Sequence, residues 1–292
     1  MSAVGELMLD VRDLTVRYTR GRKVVSALQD VSVTVGVGET LGVVGESGSG
    51  KSTLGRAIVG LAPVHSGTIT FAGEDITHAG ERRRRDLSKN LQVIFQDPYS
   101  SLNPTRTIGQ TLAETLRVHG KLSAAEVSGR VASMLERVGL SADAAQRYPG
   151  RFSGGQRQRI AIARALMAQP RLVICDEPVS ALDLSVQAQV VNLLRDLQTE
   201  LGLSYLFIAH DLDIVRHLSD RIAVVYRGRI VEQGPADSVY DSPETDYTRA
   251  LLDAVPIPDP VRQRERREAR RARRQGSQSA RCAPTVTEME TP

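Results

Sequence analysis

Two kinds of hydrophobic spacing alternate along this chain. Residues 7–18, LMLDVRDLTVRY, and 27–39, ALQDVSVTVGVGE, place apolar side chains at about every second position. A period of two is that of a half-buried β-strand, and two such runs in succession predict an antiparallel pair. Residues 40–46, TLGVVGE, form a short apolar run that enters a glycine-rich loop, with a helix predicted from about Lys51 to Gly60. Further strands are predicted in SGTITFAGEDI (66–76), in LQVIFQ ending near Gln96, in RLVICDEP (171–178) and in SYLFIAH, closed by His210. From about 100 to 151 the spacing turns helical, with TIGQTLAETLRVHG and AAEVSGRVASMLERVGL as amphipathic segments. Helices are also predicted over 153–168 and about 185–200, then a short helix and the strand pair RIAVVYRGRIVEQG (221–234). The fold class is α/β: a core with an N-terminal antiparallel β subdomain and an inserted α-helical subdomain over about 100–168.

Composition narrows the classes of function. The 292 residues are 41% apolar and 25% charged, and no uncharged apolar stretch approaches the ~20 residues that span a bilayer. The start, MSAVGELMLDVRD, lacks the basic and apolar regions of a signal peptide, and two distant cysteines, Cys175 and Cys282, fit a reducing compartment. A cytoplasmic protein is expected. The net charge of +4 is local: residues 262–274, RQRERREARRARR, carry eight Arg and two Glu, which leaves −2 for everything else. A body of that charge gives no reason to expect a nucleic-acid partner. Residues 1–256 are expected to form one domain, and the Pro-, Arg- and Ser-rich residues 257–292 a disordered tail.

The chemistry concentrates at the ends of the apolar runs. GESGSGKST (45–53) matches G-x-x-x-x-G-K-[ST] between a strand and a helix, the context of a phosphate-binding loop. Gly45, Ser47, Gly48, Ser49, Gly50, Lys51, Ser52 and Thr53 are the candidate nucleotide-binding residues; alone, the motif specifies only a nucleoside triphosphate. Glycines let backbone N–H groups point at phosphate oxygens, and the helix N-terminus adds favourable partial charge. Lys51 is placed to reach the β/γ-phosphates and Ser52 to meet Mg2+. LVICDEP puts Asp176 and Glu177 at the carboxyl end of a buried strand, where open α/β sheets bind ligands. Asp176 is the candidate second Mg2+ ligand, and Glu177 the candidate base for the attacking water. The stretch FSGGQRQR (152–159) holds no catalytic side chain, yet opens a long helix with two glycines, each costing roughly 1 kcal/mol against alanine.

Together with SALD at 180–183 and His210, these motifs resemble the ATP-binding cassette family over roughly residues 7–255. FSGGQ is similar to that family's signature, usually begun by Leu rather than Phe. The resemblance implies a P-loop ATPase core in which two cassettes face head to tail. Ser153, Gly154, Gly155 and Gln156 would then meet the γ-phosphate on the partner's P-loop. By the same resemblance Tyr18 stacks on adenine, Gln96 senses Mg2+ and couples to the membrane subunit, Asp183 crosses the dimer interface, and His210 contacts the γ-phosphate. IFQDPYSSLNP, CDEPVSALDLSVQAQVVNLL and SPETDYTRALLDAVP look like the ATPases of peptide and nickel importers, in particular the second of a pair. That implies two transmembrane permease subunits, an extracytoplasmic binding protein, a second ATPase subunit and a peripheral place on the cytoplasmic face of the inner membrane; a heterodimeric ATPase pair is expected, with a homodimer still open. Dipeptides, oligopeptides, nickel and glutathione all remain open as cargo. Relatives with a Cys-rich C-terminal segment can hold an iron–sulfur cluster; RCAP keeps only Cys282, so none is expected.

Overall fold

The computed structural model describes residues 6–21, 23–97, 101–119 and 122–254. The chain divides into two compact units, Met1–Ala250 and Leu251–Pro292. The arginine-rich run, Cys282 and the expected boundary at 256 lie outside the described residues.

Three strands are buried at every position: β3 (Thr40–Val44), β7 (Leu172–Asp176) and β8 (Ser204–Ile208). Burial on both faces is the state of central parallel strands, which explains their unbroken apolar runs. They belong to a six-stranded sheet in the order β10-β9-β3-β8-β7-β6. In that sheet β6 (Leu91–Ile94), β7, β8, β3 and β9 (Arg221–Tyr226) run parallel, and β10 (Arg229–Pro235) pairs antiparallel with β9. A second, antiparallel sheet holds β1 (Leu7–Arg20), β2 (Lys23–Gly36), β4 (Val64–Phe71) and β5 (Glu74–Asp75) in the order β2-β1-β4-β5. Its inward side chains, among them Leu9, Val11, Leu14 and Ile69, share one core with Leu41, Val43, Leu54 and Ile174. Burying each such side chain contributes about 1.5–3 kcal/mol.

The helix after the glycine-rich loop is α1 (Lys51–Ile58). The helical insertion leaves the sheet after β6 and returns at β7, with α3 (Ile108–His119), α4 (Ala124–Arg137) and α5 (Gly154–Leu166). Ser123 and Ser153 open α4 and α5 with reciprocal capping boxes, to Glu126 and Gln156 respectively. Each box satisfies helix-terminal donors that would otherwise lack partners. The insertion is tied to the next helix, α6 (Leu184–Leu201): the Arg159 guanidinium donates to the Val138 carbonyl at 2.9 Å and to Gln189 at 3.2 Å. Helix α7 spans Leu212–Leu218, and α8 (Ala236–Asp241) and α9 (Asp246–Ala254) follow β10.

The differences from the expected elements are small and physical. Strand β6 stops at Ile94 and β8 at Ile208, so Gln96 and His210 lie two residues past their strands. Helix α2 (Glu81–Leu87, ERRRRDL) has no apolar period, and only Leu87 is buried. It is held instead by Arg84, which donates to the carbonyls of Ile58 (2.7 Å) and Ile76 (2.6 Å). Among the described residues no helix is long and apolar enough to cross a membrane.

The two glycines of α5 do not have the same reason to be there. A Cβ on Gly155 would sit 2.4 Å from Val186 Cγ1, in the first turn of α6. Gly155 is therefore also a packing residue, whatever meets the helix N-terminus. Gly155→Ala is expected to cost about 1–3 kcal/mol through overpacking. Combining it with Val186→Ala removes the obstructing methyl, so the double variant should lose less stability than the two single losses added. Chemical denaturation of the four proteins measures this coupling, which contacting residues show and independent ones do not.

Candidate active site

The site forms where β3, β8 and β7 end side by side. From β3 the chain enters the loop 45–50, whose Gly45 and Gly50 have φ of +150° and +114°. Both positions also lack room: a Cβ on Gly45 would lie 2.2 Å from the Val225 carbonyl oxygen, and one on Gly50 2.6 Å from that of Ala27. Only glycine meets both demands. The loop delivers Lys51 and Ser52 to the start of α1, with Gly50 at the cap and no side chain covering the helix end. Such an end presents free N–H groups and positive partial charge, an anion site by construction.

Lys51 is almost fully buried, and its ammonium donates to the carbonyls of Gly45 and Glu46, both at 2.8 Å. Burial pushes the Lys51 pKa down, while Glu177 and Asp176 push it back up. The amine thus feels both carboxylates from β7. Ser52 Oγ donates to Asp176 Oδ1 at 2.7 Å, a bond across 124 positions of sequence. Asp176 is 6% exposed. A hydroxyl and a carboxylate are hard oxygen donors, the set that suits Mg2+, and they already touch.

Glu177 is held differently. Its φ of +48° is unusual for a side-chain-bearing residue, and its N–H donates to the Ile208 carbonyl of β8 at 2.9 Å. Backbone strain of this kind, of order 1–3 kcal/mol, clusters at functional sites. The turn directs the Glu177 carboxylate toward His210, with Oε2 3.6 Å from Nδ1. That exceeds a hydrogen bond but keeps the two side chains within reach of one small ligand. The Glu177 side chain is 15% exposed and that of His210 57%.

The remaining candidates sit on the rim. Tyr18 is exposed in β1 and pairs directly with exposed Val25 of β2. Directly opposed residues share a face, so the two form an apolar shelf. The shelf lies close to the P-loop, because β2 passes Gly50 at Ala27 and Leu28. Gln96 is exposed just beyond β6. On the insertion, Gly154 and Gly155 open α5, where helix geometry leaves their N–H groups without intrahelical partners. Ser153 and Gln156 are engaged in the capping box, and Phe152 is buried. Asp183 caps α6: its carboxylate accepts from Val186 N–H (3.0 Å) and Ser185 Oγ (2.8 Å), bonds that hold its pKa below the usual range. Cys175 is fully buried in β7, and burial drives its thiol pKa far up, so it is an apolar strand residue.

One residue at the site has no place in the sequence reading. The hydroxyl of Tyr247, in the first turn of α9, accepts the Glu46 N–H of the loop at 3.1 Å. In the sequence Tyr247 falls within the stretch SPETDYTRALLDAVP, and no local signal joins residues 201 positions apart.

Comparison with known proteins agrees with this architecture. Residues 28–180 match the ABC transporter family, and residues 231–284, which include Glu232 and Tyr247, match the oligopeptide/dipeptide transporter C-terminal region. The chain is 50% identical over 280 residues to the oligopeptide transport ATP-binding protein OppF of Salmonella typhimurium, covering 91% of this chain and 84% of that one. It is 50% identical over 270 residues to the glutathione import ATP-binding protein GsiA of Escherichia coli, but spans 43% of that longer protein. Among solved structures, a dimeric ATP-binding cassette in a post-hydrolysis state with ADP and Pi superposes with a TM-score of 0.71 at 27% identity, over 78% of this chain and 99% of that one. CbiO1 of Clostridium perfringens, part of an ABC transporter complex, gives 0.73 at 30% identity, over 81% and 92%. The chain belongs to the ABC transporter family and is an ATP-binding, ATP-hydrolysing subunit of an importer.

Proposed function

We propose that this subunit energises the uptake of peptides, oligopeptides first and glutathione-like small peptides next, from the cytoplasmic face of the inner membrane. The support for the cargo is the 50% identity to an oligopeptide transport ATP-binding protein together with the C-terminal match. Its partners in this reading are a second, non-identical cassette, two transmembrane permease subunits and an extracytoplasmic binding protein. Gln96, exposed where the sheet hands over to the insertion, links nucleotide state to the permeases.

The observation that carries the chemistry is the Ser52–Asp176 hydrogen bond beside Lys51, Glu177 and His210. ATP would lay its phosphates on the N–H groups of residues 47–53, with adenine against Tyr18. Lys51 exchanges its two carbonyl partners for β- and γ-phosphate oxygens. Ser52 and Asp176, with Gln96 from the segment just past β6, would hold Mg2+, which when bound would supply positive charge to the transferring phosphoryl group. Glu177 takes the proton of a water whose oxygen forms the new bond to the γ-phosphorus. The bond from that phosphorus to the β–γ bridging oxygen breaks, giving ADP and phosphate. His210 orients the γ-phosphate from beside Glu177. Ser153, Gly154 and Gly155, with Gln156 and Asp183 behind them, close the site of the opposite cassette through the open helix end.

Glu177→Gln should bind ATP as the parent does while turnover falls about 10²–10⁴-fold, the usual cost of losing a positioned base. Nucleotide binding by calorimetry and phosphate release measure the two separately. Near-parental turnover would remove Glu177 from this role. Gly154→Asp adds bulk and negative charge at the open helix end, and should leave ATP binding to its own P-loop intact while abolishing ATP-dependent pairing of cassettes. Sedimentation with and without ATP reads that difference, and undiminished pairing by the variant would contradict the trans arrangement.

A further inference from the structure

The P-loop is gripped at Glu46 by a part of the chain that the hydrolytic reading does not use. Glu232, 8% exposed in β10, accepts the N–H groups of Glu244 (2.8 Å) and Thr245 (3.0 Å) and the Thr245 hydroxyl (2.9 Å). Thr245 Oγ1 in turn accepts the Thr248 N–H at 3.1 Å. Burial pushes the Glu232 pKa up, but the hydrogen bonds from Thr248, Glu244 and Thr245 outweigh it and keep the carboxyl below its usual range. A buried carboxylate thereby anchors the start of α9 to β10.

That anchor places Tyr247. Its ring lies 4.3 Å from the ring of Tyr226, the last residue of β9, at 38°. Its hydroxyl accepts the Glu46 N–H. The turn after Tyr226 reaches the same loop at Ser49: Gly228 N–H donates to the Ser49 carbonyl at 2.8 Å, and the Gly228 carbonyl accepts from Gln29 N–H at 2.7 Å. Glu46 is thus held at both ends of its backbone, by Tyr247 at the N–H and by Lys51 at the carbonyl. When Lys51 turns to phosphate, the Glu46 carbonyl keeps the Ser49 N–H at 3.2 Å, and Tyr247 still holds the Glu46 N–H.

We propose that Tyr247 is a positioning residue for the nucleotide site, one that keeps Glu46 and the P-loop in the open, phosphate-ready shape while Lys51 changes partners. The proposal rests on the reading of this loop as the ATP site. A loop already held in its bound shape loses less freedom on binding, so the clasp acts on nucleotide affinity more than on the chemical step. Any movement that draws Tyr247 away from Glu46 weakens ATP binding.

Tyr247→Phe in the full-length chain keeps the ring against Tyr226 and removes only the acceptor. Its Kd for ATP in the presence of Mg2+, measured by calorimetry, should rise about two- to tenfold, the span of one neutral hydrogen bond. The KM for ATP should rise in step, with kcat falling by less. Glu232→Gln, which loosens the anchor but leaves the tyrosine in the chain, should shift the Kd in the same direction. A role in folding alone would lower the unfolding temperature of both variants and leave the Kd of the folded protein at the parental value, which would overturn the proposal. Failure of the parental chain itself to bind ATP would instead overturn the nucleotide reading beneath it, and this proposal with it.

Discussion

The hydrogen bond from Ser52 to Asp176 can exist only because β3 and β7 flank the same strand, β8, and run in the same direction. Parallel alignment brings the carboxyl ends of all three to one edge of the sheet. There the P-loop leaves β3, Asp176 and Glu177 leave β7, and His210 follows β8. No one of these segments carries a site alone. The fully buried strands fix their relative height, and the 2.7 Å contact is the local sign that the register is right. The burial that drives the core together also desolvates Lys51, whose ammonium faces two carboxylates and bonds to its own loop carbonyls.

The helical insertion answers a different constraint. Its α5 begins with two glycines because one must pass Val186 and both expose N–H groups at the helix end. Asp183 caps the helix that Gly155 packs against, so the open end of α5 and the start of α6 are built as one unit. Close packing and an open helix end are met at the same residue. This is why a helix opening that looks costly in isolation is stable in place.

How much of this was legible depended on distance along the chain. The P-loop was readable because strand, glycines, lysine and helix are consecutive, and each enforces a local rule. Asp176 and Glu177 could be given roles, but their contact with Ser52 and the positive φ of Glu177 are products of the sheet order, which no local pattern contains. Helix α2 leaves no mark in the hydrophobic pattern because Arg84 holds it through backbone carbonyls rather than through an apolar stripe. Phe95 and Ala209 continue the apolar runs past the last residues of β6 and β8, so the sequence pattern extends each strand two residues too far, to Gln96 and His210. Tyr247 was hidden most completely, because its partner is a backbone N–H two hundred residues earlier.

The central claim is that one γ-phosphate is met by the P-loop of one cassette and by the α5 N-terminus of another. Vanadate, trapped with ADP in place of the γ-phosphate, cleaves the backbone beside it under ultraviolet light. Applied to the assembled transporter, with fragments of this chain identified by mass spectrometry, it reads which residues lie at that position. The account predicts two cuts in this chain, one within residues 45–53 and one at Ser153, the second lost when the partner cassette can no longer bind nucleotide. Cleavage confined to the P-loop would contradict it.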